Sequence, residues 1–276
     1  MTRAKRKYIF KYIFIYAALI FFAAVFLVPI GVMISTSMKS PPELVNVLAL
    51  PKGFYRENHR AAFEIIGRGM LNSLLITLPA VFISSFVGAL GAYPLSQFRF
   101  KGDQLVYMFL LAGLFVPFQI VLIPLFQIMR ELRLYDSIPG LWLVHTVYGI
   151  PICTFYLRNF FATIPKSLLE ASLIDGCSIA GYFFRILLPL SKPGFAALII
   201  LQARAIWNDL LFGLTLTRSA TTRPVTVELS AFVGMTDVQY GHLMAASLWS
   251  ILPTTIIFLV FQKHFIRGLL GGSIKS

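Results

Sequence analysis

Six runs of about 20 predominantly apolar residues limit this chain to a small set of folds, because each is long enough to cross a hydrocarbon core of roughly 30 Å as a helix. They extend over Ile13 to Ile34, Met70 to Leu95, Leu105 to Ile128, Leu141 to Phe161, Phe195 to Leu216 and Leu243 to Phe261. With 58% hydrophobic and 13% charged residues the chain departs from soluble composition, where about a quarter is charged. The expected fold is an all-α membrane protein of six transmembrane helices. Residues 1–276 form a single membrane domain, with a core over about 70–276 and the first span, 13–34, as an anchor. That first run exceeds the usual apolar stretch of a secretory signal, and no small-x-small cleavage site closes it.

A net charge of +13 raises the question of nucleic acid, and its distribution answers it. With the N-terminus inside, the cytoplasmic segments carry fourteen Lys and Arg against three carboxylates, and the outer segments nine against seven. This asymmetry follows the positive-inside rule, so both termini are expected in the cytoplasm and the basicity reports orientation rather than nucleic-acid binding. Cys153 lies in a span and Cys177 in a cytoplasmic loop, without the spacing of a metal or redox motif. Prolines at 79, 117, 124, 151 and 253 fall inside spans, where each removes a backbone donor. Two readings fit: kinked packing helices, or hinges around a pathway, for which Pro117 and Pro124 flanking Phe118 and Gln119 are the best candidates.

The largest cytoplasmic loop, 162–193, has its own architecture. Pro165 suits the first turn of a helix and Gly176 the left-handed position after a helix end, which brackets about three turns. Leu169 and Leu173, and Leu168 and Ser172, stand four apart and form an apolar ridge, with Glu170 and Asp175 elsewhere. Such a helix lies on lipid or on its own spans, or enters a groove of a soluble partner.

The run Glu170-Ala171-Ser172-Leu173-Ile174-Asp175-Gly176, then nine residues, then Ile186-Leu187-Leu188-Pro189, resembles the EAA loop of importer-type ABC permeases, E-A-A-x-x-x-G followed by I-x-L-P. Ser172 replaces the second alanine. Asn72-Ser73, Ile164-Pro165, Trp207-Asn208-Asp209, Gly241 to Ser247 and the ending Gln262 to Lys275 narrow the resemblance to maltose-type carbohydrate permeases, and to the shorter of their two homologous permeases. The likeness extends from about Asn72 to the C-terminus.

The resemblance implies a multi-pass permease of a prokaryotic cell membrane. It pairs with a second homologous permease as a heterodimer, sits over two ATPase subunits and receives solute from an extracytoplasmic binding protein, with lipid as its solvent. Glu170, Ala171, Ser172, Asp175, Gly176 and Pro189 would couple to the ATPase. Gly268, Gly271, Gly272, Ser273 and Lys275 of the tail, 262–276, would reach the ATPase interface. The alternative for the tail is a frayed terminus, and its glycines disfavour a free helix. No cofactor is expected on this chain, ATP and magnesium belonging to the partners, since it has no G-x-x-x-x-G-K-[ST] loop. Nor is it expected to be an enzyme: it has no H-E-x-x-H or G-x-S-x-G motif and its histidines are scattered. His145 reads as a packing residue. Sugars, sugar-like compatible solutes and glycerol phosphates all remain open as cargo.

In the fifth span Arg204 is expected about 15 Å into the bilayer, where an unpaired charge facing lipid is costly. Counting 100° per residue puts Trp207, Asn208 and Leu211 on its face and Asp209 off it. With Gln119, the residues Arg204, Trp207 and Asn208 are the candidate translocation path. A structural buried ion pair is the competing reading.

Overall fold

The computed structural model describes residues 3–233 and 239–270, with side chains for 11–233 and 239–260. Helix is the only regular secondary structure among the described residues: α1 (Arg3–Ser37), α2 (Arg56–Gln97), α3 (Asp103–Phe115), α4 (Phe118–Glu131), α5 (Ile138–Phe161), α6 (Lys166–Ile174), α7 (Ile179–Leu190), α8 (Lys192–Trp207), α9 (Leu211–Leu216), α10 (Val225–Val233) and α11 (Tyr240–Leu270). The all-α class expected from the apolar runs is found. Its regularity is not.

Four helices are long and apolar enough to span alone: α1 from Lys11, α2, α5, and α11 as far as Val260. The other two expected spans are broken. The third bends by 94° between α3 and α4. The fifth is interrupted after Trp207, between α8 and α9, and α8 itself meets the preceding α7 at 73°. The first break follows from Pro117. A residue preceding proline is pushed out of the helical region, and Val116 sits at ψ 114° with Pro117 at ψ 118°. Two extended residues in a row turn the chain. The connection between the first two expected spans is shorter than their bounds imply, because α2 begins at Arg56; its 42 residues measure about 63 Å, twice the hydrocarbon core.

The chain divides into two compact units, 1–66 with 231–250, and 67–230 with 251–276. In the first, Lys39 is fully buried and its ammonium donates to the carbonyls of Asn46 (3.0 Å) and Val47 (2.7 Å), which folds the loop after α1 around it. Asn58 donates to the carbonyls of Ser37 and Lys39, and Ser40 and Glu43 form a capping box that opens a short 3₁₀ turn. In the same unit Phe63 meets Trp249 edge to face.

The second unit holds two apolar clusters. One gathers Ala89, Ala92 and Tyr93 of α2, Leu157 and Phe161 of α5, Leu169 of α6 and Phe183 and Leu187 of α7. The other gathers Ile76 and Ala80 of α2, Met129 of α4, Val144 of α5, Ile206 of α8 and Phe212 of α9. Small residues set the spacing of α2 and α5. A Cβ on Gly88 would stand 2.5 Å from that of Cys153, so the backbones approach as closely as glycine permits.

Candidate functional site

The loop helix α6 is built as its sequence suggests, displaced by one residue. Pro165 is the N-cap rather than the first helical residue. At the other end Gly176 takes φ +80°, its N–H donates to the Leu173 carbonyl (3.1 Å) and the Cys177 N–H reaches the Ser172 carbonyl (2.9 Å). That is a Schellman closure, and it reverses the chain toward α7. Within the turn Ser172 is buried, its hydroxyl donating to the Leu169 carbonyl.

The expected four-residue ridge is only half used. Leu169 and Ser172 face inward, whereas Leu168 and Leu173 remain partly exposed and Ile174 is 86% exposed. Glu170, Ala171 and Asp175 are exposed as well. The buried side is fixed to the ends of two spans. Tyr93 of α2 donates to the Ile179 carbonyl (3.0 Å), Gln97 donates to the Phe161 carbonyl (3.0 Å), and Tyr93 packs against Phe183.

The segment after the turn, α7, contains a single π turn over Phe183–Leu187. Pro189 explains it. A proline ring crowds the carbonyl four residues earlier and offers no N–H, and widening the helix relieves the clash. The Leu188 N–H accordingly reaches back five residues to the Phe183 carbonyl, and Pro189 is exposed beyond it.

A second polar region forms where the fifth span breaks. Asn208 ends α8, its side-chain amide donating to the Arg204 carbonyl (2.9 Å). The Asp209 carboxylate then accepts from the N–H groups of Phe212 (3.1 Å) and Gly213 (3.3 Å), which caps α9. Inside a membrane such freed groups need protein partners. Thr226 supplies another, its hydroxyl donating to the Asp209 carbonyl (2.5 Å). His145, buried on α5, brings Nε2 to 3.8 Å from the same carboxylate.

Counting a continuous helix through this break therefore misplaces side chains. Arg204 and Asn208 are exposed, but Trp207 is buried in the core and Leu211 belongs to a new helix. Gln119 is exposed in the first turn of α4. Beside the break lies an open cavity of about 520 Å³ lined by Phe118, Tyr148, Gln202, Asn208, Asp209 and His145, among others. Phe212 forms its aromatic wall, with ring centres 5.3 Å from Phe118, 5.0 Å from Tyr148 and 5.5 Å from His145. Of the four expected path residues only Asn208 lines this cavity. His145, read from sequence as packing, and Asp209, read as an off-face charge, are the additions. Their contact joins residues 64 apart in the chain, and no local pattern carries it.

Of the tail residues, Gly268 lies within α11, which runs to Leu270. Gly271, Gly272, Ser273 and Lys275 lie outside the described residues.

The model of the binding-protein-dependent transport system inner membrane component family matches residues 80–271. The chain belongs to this family. The matched region holds α6, the Gly176 turn and the break at Asn208. Among curated relatives of this transport family, the osmoprotective compounds uptake permease protein GgtD of Synechocystis sp. is 36% identical over 226 residues, covering 81% of this chain and 76% of that one. The xylose/arabinose import permease protein XacI of Haloferax volcanii is 34% identical over 279 residues, covering 92% and 90%. In fold the chain is similar to a bacterial ABC transporter involved in the import of the acidic polysaccharide alginate, at TM-score 0.83 and 24% identity over 96% of this chain and 99% of that one. The bacterial alginate ABC transporter in complex with an alginate pentasaccharide-bound periplasmic protein matches at TM-score 0.67 and 17% identity over 93% of each chain. As an inner membrane component with several spanning helices, this family member is a multi-pass protein of the prokaryotic cell membrane.

Proposed function

We propose that this chain is a permease subunit of an ATP-driven importer and forms, with a second homologous permease, the path for a sugar or sugar-like solute. The relatives support the solute class, one named for xylose and arabinose and one for osmoprotective compounds. Two ATPase subunits would supply energy and an extracytoplasmic binding protein would deliver solute. The neighbour that carries a periplasmic protein supports the second of these partners.

The observation that carries the mechanism is α6. It is a nine-residue helix with one side locked into the cores of α2 and α5 and the other presenting Glu170, Ala171 and Ile174 to solvent. An amphipathic helix held this way suits helix-in-groove docking. A push on its exposed side passes through Leu169, Tyr93 and Gln97 into the ends of two spans, since packed interiors move as units. The Gly176 turn fixes the angle at which α7 receives that push. Asp209 and Asn208 would hold the fifth span open beside the cavity, where aromatic faces and amide groups suit sugar rings and hydroxyls.

The test is solute uptake into proteoliposomes holding the assembled transporter. A side chain at Gly176 strains the φ +80° turn by about 1–2 kcal/mol, and Glu170→Lys reverses the charge on the docking side. Gly176→Val and Glu170→Lys are each expected to lower uptake and solute-stimulated ATP hydrolysis at least about 10-fold, with normal membrane insertion. Survival of both activities in both variants would remove α6 as the coupling element.

A further inference from the structure

At the end of the molecule that carries α6, a polar recess of about 220 Å³ lies between the ends of α2 and α5 and the start of α6. Three cations line it, Arg99, Arg158 and Lys166, together with Gln97, and no carboxylate is among the lining residues described. Asp103 is the nearby acid, 3.7 Å from Arg99, and it also accepts from the Gln104 N–H. Arg158 is the unusual member. Its guanidinium stacks over the Tyr107 ring at 4.2 Å, one Nη reaches the side-chain amide oxygen of Asn159 only at 3.4 Å, and Nε is buried with no acceptor. Gln97, 4% exposed, donates its amide N–H to the Phe161 carbonyl and leaves Oε1 without a donor.

A cation near a helix C-terminus is favourable in itself, and this accounts for Arg158 standing at the end of α5. It does not account for three cations converging on one recess with a buried donor and a buried acceptor left open. We infer that the recess binds a phosphate ester, the phosphate on Arg158, Lys166 and Arg99 and a ligand hydroxyl on Gln97 Oε1. Planar guanidinium groups suit phosphate oxygens, and basic pockets at the inner ends of spans suit anionic headgroups. The apolar runs of the second and fourth spans end at Leu95 and Phe161, beside the recess, which suits a lipid headgroup, and phosphatidylglycerol and a soluble glycerol phosphate share the required chemistry. A bound ester would tie Lys166, the first residue of α6, to both spans and stiffen the transmitting helix. That consequence rests on the coupling role proposed for α6, whereas the binding does not.

Binding is read apart from transport. The full chain, with whatever subunits co-purify, is placed in nanodiscs of phosphatidylcholine with a minor fraction of phosphatidylglycerol, and the lipid retained after release is counted by native mass spectrometry. Phosphatidylglycerol should be retained over phosphatidylcholine. Retention should weaken about five-fold in Lys166→Gln and about five-fold again when Arg158→Gln is added. Lys101→Gln, which removes the same charge from the same end outside the recess, is the control and should leave retention unchanged. Should Arg158→Gln fail to fold, Lys166→Gln and Arg99→Gln at exposed positions carry the comparison alone. Displacement of the lipid by soluble glycerol phosphate or inorganic phosphate would identify a free ester as the ligand, and resistance to displacement the lipid itself. Absence of both an anionic-lipid preference and phosphate binding, or equal weakening by Lys101→Gln, overturns the site. Either result leaves the uptake experiments on Gly176 and Glu170 standing on their own.

Discussion

Asp136 shows how much one side chain can organise outside the spans. It sits at φ +53° in the loop between α4 and α5, and its Oδ1 accepts from the N–H groups of Arg218 (2.9 Å) and Ser219 (3.1 Å) and the hydroxyls of Ser219 and Thr222. Its own N–H donates to the Leu216 carbonyl, which closes the clamp between two loops of the same unit. Burial pushes its pKa up, but the donors of Arg218, Thr222 and Ser219 outweigh this and bring it down to about 2. The folded-state value is depressed below an unfolded carboxylate near 3.9, so the stabilisation is complete above about pH 4 and is lost as pH falls through about 2. Asp136→Ala should cost about 1.5–3 kcal/mol at neutral pH, the usual worth of hydrogen bonds to a charged acceptor. Thermal unfolding of wild type and variant across pH checks this. Their difference should shrink below pH 4, and a difference that stays constant to pH 2 would show that the charge is not its source.

Among the elements, the breaks distinguish this chain from a plain six-helix bundle. The α3 to α4 turn depends on Pro117 and the extended Val116 before it. Pro117→Ala restores an N–H and removes the steric bar on Val116, so the helix is expected to straighten toward a continuous rod. Spin labels at Met108 and Gln127, on either side of the turn, would then move apart toward about 28 Å, the axial distance for 19 residues of helix. No lengthening would mean that packing of Phe118, Leu122 and Met129 against the second cluster imposes the bend. Comparing the two breaks shows what sequence can reveal. Pro117 announces a distortion because its ring is a local fact, whereas its 94° depends on the cluster α4 packs into. At Asn208 and Asp209 the residue types favour caps, yet they stood in an apolar run and read as part of one helix. The loop helix α6 was legible to within a residue because its signals, Pro165 and Gly176, act on the backbone itself. Which ridge residues it buries was not, since Leu169 is chosen over Leu173 by Tyr93, Phe161 and Phe183 from distant segments.

Over the whole molecule, two large cavities of the second unit carry opposite chemistry. One, of about 430 Å³, is walled by Phe82, Phe86, Phe195 and Ile199, and suits lipid tails or another apolar helix. The other is the cavity at the α8 to α9 break, with Gln202, Asn208, Asp209 and His145 among its walls. Arg204 and Asn208 are both exposed one turn apart on α8, Asn208 alone lining the cavity, and a cation at the depth expected for Arg204 is too costly to leave against hydrocarbon. Under the proposed function the polar cavity would be wet in one state and covered by a partner in another. Thiol chemistry separates the two cavities. Asn208→Cys should react with a small aqueous reagent, and so should Ala205→Cys, which lines the same cavity and forfeits no hydrogen bond to the Arg204 carbonyl. Phe82→Cys, in the apolar cavity, should stay unreactive. In the assembled transporter the rates at Asn208 and Ala205 should differ at least about 10-fold between resting and ATP-bound states, because closure of a partner over the cavity exchanges water for protein. Thiols at both positions that stay silent in both states, with Arg204→Leu transporting normally, would take this face out of the path.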